Sequence, residues 1–465
     1  MPNPQRSPDY IVPRSSVEGL TWPALTDQHA SQLLALQFQL DQSQWWTAET
    51  IRRHQFAQLE ILLEHAQRTV PYYRDLLERY RFKAGTGSLE AIWSDIPILS
   101  RQALQDAGDL LHSEAVPKQH GGTQRIFTSG STGSPVSLLD TGLTQLMWQA
   151  FTLREQRWHG RDLSAKLAVI RVIKGGKADA PDGMHLNVWG GATGSIYDTG
   201  PCELLNLATP INEQVDWLLR HEPDYLLTCP TNLQSLAEYC LEHDIKLKGL
   251  RGVSTFSEAL GANLRDLVRR VWDIEVQDIY SSVEVGNIAL QCPEHECYHV
   301  QAENMLVEIL DEEGQACQYG EVGRVVVTPL HNFATPLIRY DLGDYAEVGE
   351  ECSCGRGLPV LTSVRGRFRN MVVLPTGERF WPVFQGFAPF LDIVNFRQVQ
   401  MIQHSLDWIE VIMVVDTEVR PEQQQELGGI IQEILGYPFK ITFSFPDEIP
   451  RSKGGKYEEF ISKLK

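Results

Sequence analysis

The chain has 465 residues, 42% hydrophobic and 22% charged, with a net charge of −19. That length and apolar content support packed cores, as about three domains or one large and one small, and exclude collagen-like, coiled-coil and low-complexity chains. The acidic balance argues against a bulk electrostatic grip on nucleic acid or anionic lipid.

The start, Met1-Pro2-Asn3-Pro4-Gln5-Arg6-Ser7-Pro8, has no apolar stretch of signal-peptide length behind a basic residue. No window approaches about 18 consecutive apolar residues, so no transmembrane helix is expected. Eight cysteines in so long a chain do not form a disulfide scaffold, and a cytoplasmic protein is expected. Residues 1–30 carry scattered Pro, Ser and Asp and read as an irregular arm. From about Gln32 to Arg81 the pattern is helical. Leu59, Leu62, Leu63 and Ala66 recur at helical spacing, and Pro71 interrupts the run. Trp45 and Trp46 are expected in a core or between helices.

Between about 120 and 370 short β-rich runs alternate with helical ones. Ala168–Ile173 reads as a strand, Asn212–Arg220 as a helix, Tyr225–Thr228 as a strand and Thr231–His243 as a helix. Gly252–Thr255 reads as a strand, Leu260–Val271 as a helix and Val276–Tyr280 as a strand. That rhythm predicts an α/β domain with a parallel sheet. Arg324–Thr328 and Thr335–Tyr340 are more β in character. Beyond about Gly366–Asn370, Val399–Gln403, Trp408–Val415 and Lys440–Ser444 read as strands and Gln423–Leu435 as a helix, a small α+β unit.

Thr128-Ser129-Gly130-Ser131-Thr132-Gly133-Ser134-Pro135 packs hydroxyls and two glycines between apolar flanks. Glycines let backbone approach a ligand, and hydroxyls with free N–H groups bind phosphate oxygens. It lacks the Gly-Lys-Ser/Thr of a Walker A loop, and the same composition also suits a flexible linker. Two further clusters, Cys292-Pro293-Glu294-His295-Glu296-Cys297-Tyr298-His299 and Cys352-Ser353-Cys354, offer thiolate and imidazole donors suited to tetrahedral Zn²⁺. A zinc-ribbon nucleic-acid binder is disfavoured by the charge of −19 and by the lack of basic clustering near the cysteines. Cys202, Cys229, Cys240 and Cys317 read as ordinary thiols.

Five motifs in order from Thr128 to Lys456 make the chain similar to the adenylate-forming (acyl-activating) superfamily, most of all its phenylacetate–CoA ligase-like and capsule-biosynthesis-type branch. Besides the Ser/Gly loop, these are Asp278-Ile279-Tyr280-Ser281-Ser282-Val283-Glu284, Ile338-Arg339-Tyr340-Asp341-Leu342-Gly343-Asp344, Val364-Arg365-Gly366-Arg367 and Pro450-Arg451-Ser452-Lys453-Gly454-Gly455-Lys456.

The resemblance implies an ATP/AMP site made by Thr128, Ser129, Gly130, Ser131, Thr132, Gly133, Ser257, Glu258, Asp278, Tyr280, Ser281, Asp344 and Arg367. Tyr280 would pack on adenine with Asp278 near its amino group, and Asp344 would accept from the ribose hydroxyls. Glu284 would hold Mg²⁺, and Lys456 would be the catalytic residue. It selects Cys292, His299, Cys352 and Cys354 for a structural Zn²⁺, with His295 and Cys297 as alternates. Ser281 stands where the family has glycine, Asp341 stands where it has arginine and is given no role, and the hinge acid is replaced by Arg369 and Asn370.

The implied fold is α/β: a large domain over 1–366 with parallel-sheet and β-rich subdomains, a hinge at 367–370, and a small mobile α+β domain over 371–465. The implied reaction is ATP-dependent activation of an aryl or other carboxylic acid to an acyl-adenylate. Transfer to a thiol, coenzyme A first, follows, with release of AMP and pyrophosphate. A carrier-protein thiol or an amine is the alternative acceptor, and an inactive nucleotide-binding scaffold is the second alternative. Trp158, His159, Trp189 and Phe256 are candidates for an aromatic acyl slot, each as readily explained by packing.

Overall fold

The computed structural model describes residues 12–464 except 86, 88, 128–135, 174, 262, 368–369, 381, 383–387, 392, 416 and 451–457. Helices Gln28–Ser43, Ala48–Thr69 and Pro71–Arg79 open the chain. Thr47 caps the second by accepting from the Thr50 N–H, with Glu49 in its first turn and Arg68 in its last, the signs that favour each end of a helix dipole. Pro71 does not merely stop this helix. It occupies the first turn of the next one, where its missing N–H costs nothing. Leu59, Leu62, Leu63 and Ala66 are buried against the sheet residues Met305, Val325 and Val327.

Strands Cys202–Asn206, Leu167–Arg171, Tyr225–Thr228, Gly252–Phe256 and Val276–Ser282 lie side by side in that order and run parallel. Helices Ile211–His221, Pro230–Glu242 and Leu264–Trp272 cross over between them. Their apolar faces bury Trp217, Leu233, Leu236 and Val268 against Leu226, Val253 and Val276, each large side chain stabilising by about 1.5–3 kcal/mol.

After Val276–Ser282 the chain reverses. Gly286–Gln291 pairs antiparallel to it, followed across the sheet by Tyr298–Val300, Val360–Arg367, Tyr340–Val348, Val322–Pro329 and Met305–Leu310. The parallel and β-rich parts are therefore hydrogen-bonded into one 12-stranded sheet. Thr335–Tyr340 is not a strand until Tyr340. The Asn332 carboxamide oxygen takes the N–H groups of Ala334 and Thr335, and Arg339 adopts φ 51°, so the segment turns instead.

The C-terminal unit has its own core. Strands Phe396–Ser405, Trp408–Val415, Lys440–Ser444 and Phe460–Ser462 form a separate four-stranded sheet, covered by helix Pro421–Leu435. Val399, Met401, Ile409, Val411, Leu427, Ile431 and Phe460 pack together, and Val372 joins them. Trp45 and Trp46 differ from expectation: they are 51% and 39% exposed. Their loop nonetheless anchors a neighbour. The Arg356 guanidinium lies 4.8 Å over the Trp45 ring, and a Cβ on Gly357 would collide with the Trp46 carbonyl.

Candidate nucleotide and acyl site

The expected nucleotide residues gather at the carboxyl ends of the parallel strands Gly252–Phe256 and Val276–Ser282, next to the point where the sheet turns antiparallel. Such ends are where open α/β sheets bind ligands. Phe256 leads into Ser257, whose φ of 79° is left-handed and strained for a residue with a Cβ. The turn delivers Glu258 to the first turn of helix Pro230–Glu242, where its carboxylate accepts from the Thr231 N–H at 3.1 Å and hydroxyl at 2.8 Å. Ser257 and Glu258 line a cavity of about 220 Å³ with Phe256, Cys229 and Ile170.

Tyr280 is buried, and its hydroxyl donates to Asp344 Oδ2 at 3.0 Å. Three strands lie between these two in the sheet order, so the sheet curls back to bring them together. Asp344 pairs in register with Arg367 on the adjacent strand. Ser281 pairs with Asn287 at the irregularity that follows Tyr280.

Asp278 lies beneath this surface. Thr255 Oγ1 and the Tyr298 hydroxyl donate to its two oxygens at 2.5 and 2.9 Å, and burial pushes its carboxyl up to about 6. Both oxygens thus have partners within the sheet. Asp341 also has a local explanation: it accepts from the Gly343 N–H at 2.8 Å and faces Arg324 at 3.5 Å.

Glu284 follows at the sheet reversal, its side chain 11% exposed. Arg101 Nη1, from the start of helix Arg101–Ala107, lies 3.5 Å from its carboxylate. A cationic group already faces the position expected to hold Mg²⁺. Sequence reasoning missed Arg101 because it lies 183 residues away. Beside Glu284 opens a second cavity, of about 210 Å³, bordered by Ile126, Asp140, Trp148, Gly286, Asn304 and His331.

Three of the suggested acyl-slot residues are used elsewhere. Trp158 donates to Gln44 at 3.0 Å and packs edge-on to His299. Trp189 donates to the Ala165 carbonyl at 2.8 Å and packs on Tyr225. Burial lowers His159 to about 4. Phe256 lines the cavity with Ser257, and the indole beside Glu284 is Trp148. Thr128, Ser129, Gly130, Ser131, Thr132, Gly133 and Lys456 lie outside the described residues.

The two soft-donor clusters meet. Cys292, Cys297, His299 and Cys352 offer ligand atoms all within 4.8 Å of one another. The Cys352 sulfur is 3.8 Å from that of Cys292 and 3.7 Å from that of Cys297. Zn–S bonds of about 2.3 Å in a tetrahedron set sulfurs about 3.8 Å apart, so the spacing suits zinc. His299 Nδ1 is buried without a partner among the described residues, while Nε2 lies 3.3 Å from Cys354 Sγ. Cys297, an alternate in the set that the resemblance selects, stands among these four converging donors, and Cys354 lies beside the His299 imidazole. His295 Nδ1 is 3.3 Å from Cys352, and its Nε2 is 3.0 Å from Ser353.

Without a cation the cluster is electrostatically frustrated. The Cys292 partner holds Cys297 far above the ordinary thiol range, burial lifts Cys352 to about 11, and hydrogen bonding from Cys297 favours the Cys292 thiolate. A divalent ion reverses this by favouring thiolates throughout. The donor set fits a metal.

Residues 390–463 match the CapK C-terminal domain family. The chain is 25% identical to phenylacetate-coenzyme A ligase of Thermus thermophilus, over 89% of this chain and 96% of the relative. It is 23% identical to the enzyme of the same name from Pseudomonas putida, over 89% and 95%. A solved 2-hydroxyisobutyryl-CoA ligase in its postadenylation state superposes with TM-score 0.69 at 18% identity, over 91% of this chain and 92% of that one, and so shares the fold. The chain is thus similar to phenylacetate–coenzyme A ligases over most of its length and to CapK in its C-terminal unit, on a fold shared with a solved acyl-CoA ligase.

Proposed function

We propose that the chain is an AMP-forming acid–thiol ligase. A carboxylate attacks the α-phosphorus of ATP, pyrophosphate leaves, and the resulting acyl-adenylate passes its acyl group to the thiol of coenzyme A with release of AMP. The observation that carries this reading is the Tyr280–Asp344 hydrogen bond at the carboxyl end of the last parallel strand, with Glu284 four residues further on and a cavity beside Glu284. Nucleotidyl transfer depends mainly on positioning and charge neutralisation, and these residues supply both.

In this reading Tyr280 packs on adenine and its hydroxyl holds Asp344 toward the ribose. Ser257, Glu258, Ser281 and Arg367 frame the nucleotide, Asp278 supports them from within the sheet, and residues 128–133 cradle its phosphates. Glu284 would hold Mg²⁺, which would supply charge neutralisation at the phosphates. One carboxylate plus phosphate oxygens is a usual arrangement for that ion, which neutralises their charge. Arg101 holds Glu284 in place until then. Lys456 supplies the mobile cation, and residues 367–370 act as the pivot for the C-terminal unit. Cys292, Cys297, His299 and Cys352 bind a structural Zn²⁺.

The test is incubation of the purified chain with ATP, Mg²⁺ and a panel of carboxylic acids, with hydroxylamine to trap adenylates. Acid-dependent hydroxamate and AMP are expected. Product analysis with coenzyme A, a pantetheinylated carrier protein or an amine in place of hydroxylamine then identifies the acceptor. AMP production that ignores every acid contradicts the reading.

A further inference from the structure

We infer that Cys297 and Cys352 form a redox modification site: a hydroperoxide joins their sulfurs in a disulfide, and the Cys/His cluster gives up its metal as they join. This rests on the zinc assignment above and adds a reaction that the ligase chemistry does not use.

The three cysteines among the four converging donors are not equivalent. Cys292 is buried, whereas Cys297 and Cys352 are partly exposed. The Cys297 and Cys352 sulfurs are 3.7 Å apart. They belong to different connections, Cys297 to the turn before strand Tyr298–Val300 and Cys352 to the loop after Tyr340–Val348. Neither residue lies within a strand, so side-chain rotation with small loop adjustment can bring the sulfurs to the roughly 2.05 Å of a disulfide. Cys292 is as near to Cys352, at 3.8 Å, but it is shielded from solvent and accepts from the Glu294 N–H at 3.5 Å. Cys354 is partly exposed, but it stands only two residues from Cys352, with its sulfur against His299 at 3.3 Å. Metal ligation requires cysteines as thiolates, and the thiolate is also the nucleophilic form. The exposed pair is therefore the one an oxidant meets in its reactive state.

The reaction balances with the hydroperoxide as the oxidant. One thiolate attacks an oxygen of the peroxide. An S–O bond forms, the O–O bond breaks, and the departing oxygen takes a proton from solvent. The second thiolate attacks the resulting sulfenic sulfur. The S–S bond forms, the S–O bond breaks, and hydroxide leaves and is protonated to water. The two thiolates lose two electrons together, and the peroxide gains both. Only Cys292 and His299 then remain of the four donors, too few for a tetrahedral structural zinc. The disulfide joins the same turn and loop that the cluster joined, so the sheet keeps its tie while the metal departs.

The experiment treats the purified, zinc-loaded full chain with equimolar hydrogen peroxide, blocks the remaining thiols, and maps disulfides by mass spectrometry of its peptides. A chromogenic chelator follows zinc in the same samples. The expected result is a cross-link between Cys297 and Cys352 with one zinc released per disulfide, both reversed by dithiothreitol and added zinc. Cys354→Ser should behave as the wild type does. The oxidised, zinc-free chain should melt at a higher temperature than the reduced chain stripped by a chelator, because a disulfide constrains the unfolded state. A cross-link made chiefly through Cys292 or Cys354, sulfinic acid without a cross-link, or a disulfide that releases no zinc overturns this inference. So does a chain that takes up no zinc, which removes the zinc assignment with it. None of these results touches the ligase reading, which stands or falls on the hydroxamate assay.

Discussion

The Tyr280–Asp344 hydrogen bond joins two residues whose expected ligands are different parts of one nucleotide. Tyr280→Phe removes the donor and keeps the ring. A lost neutral-to-charged hydrogen bond is worth about 1.5–3 kcal/mol at most, so KM for ATP should rise by about 10-fold with a smaller change in kcat, read by steady-state kinetics. In the proposed reaction, Glu284→Gln removes the charge assigned to Mg²⁺ during phosphorus–oxygen bond formation. Adenylation should fall by about 10²–10³, the range for one well-placed electrostatic group. Tyr280, Glu284 and Asp344 could be named as candidates from the sequence because their motifs are local and their chemistry is written in single side chains. Arg101 and Trp148 could not, because only the fold brings them to the site. Nothing in the sequence around Arg101 hints at Glu284.

At the scale of elements, the Cys/His cluster ties the turn between Gly286–Gln291 and Tyr298–Val300 to the loop between Tyr340–Val348 and Val360–Arg367. Both connections belong to the antiparallel half of the sheet that also carries Asp344. The purified protein should contain about one zinc per chain by elemental analysis. Cys297→Ser should lose most of it and lower the melting temperature, whereas Cys354→Ser should retain it, because that thiol lies outside the group of four donors that converge within 4.8 Å. Zinc retained in Cys297→Ser and lost in Cys354→Ser would restore the spacing-based set. Spacing identifies candidate donors but not the direction each side chain takes as the strand ends. Hydrophobic periodicity did better with the crossover helices. Ile211–His221 and Pro230–Glu242 lie within a residue or so of their expected ends, because each shows the sheet a single apolar face.

The whole molecule divides into a large sheet with its helices and a C-terminal unit with its own core. Alternation of strands and helices made the parallel half legible. The continuous antiparallel extension was not, since strand pairing between distant segments leaves no local signature. Between the two units Glu459 faces charge of its own sign: burial, then Glu238 and Glu258, push its carboxyl up to about 7. A folded-state value above the unfolded 4.5 means that its contribution to stability is present at low pH and is lost as pH rises through about 7. Glu459→Gln should therefore match the wild type near pH 4 and become the more stable protein by pH 8. The difference should reach up to about 3 kcal/mol, since each tenfold change in proton affinity is worth roughly 1.4 kcal/mol, and denaturant unfolding across that pH range measures it. A difference independent of pH would remove the like-charge explanation.

The central claim is that distant segments assemble one adenylating centre, with a lysine near the C-terminus completing its charge. Isotope exchange between pyrophosphate and ATP, started by a competent acid, reads that half-reaction alone. The account predicts acid-dependent exchange in the wild type and a fall of about 10²–10³ in Lys456→Ala, with ATP binding retained in calorimetry. Exchange at the wild-type rate in that variant, or exchange that needs no acid, would contradict it.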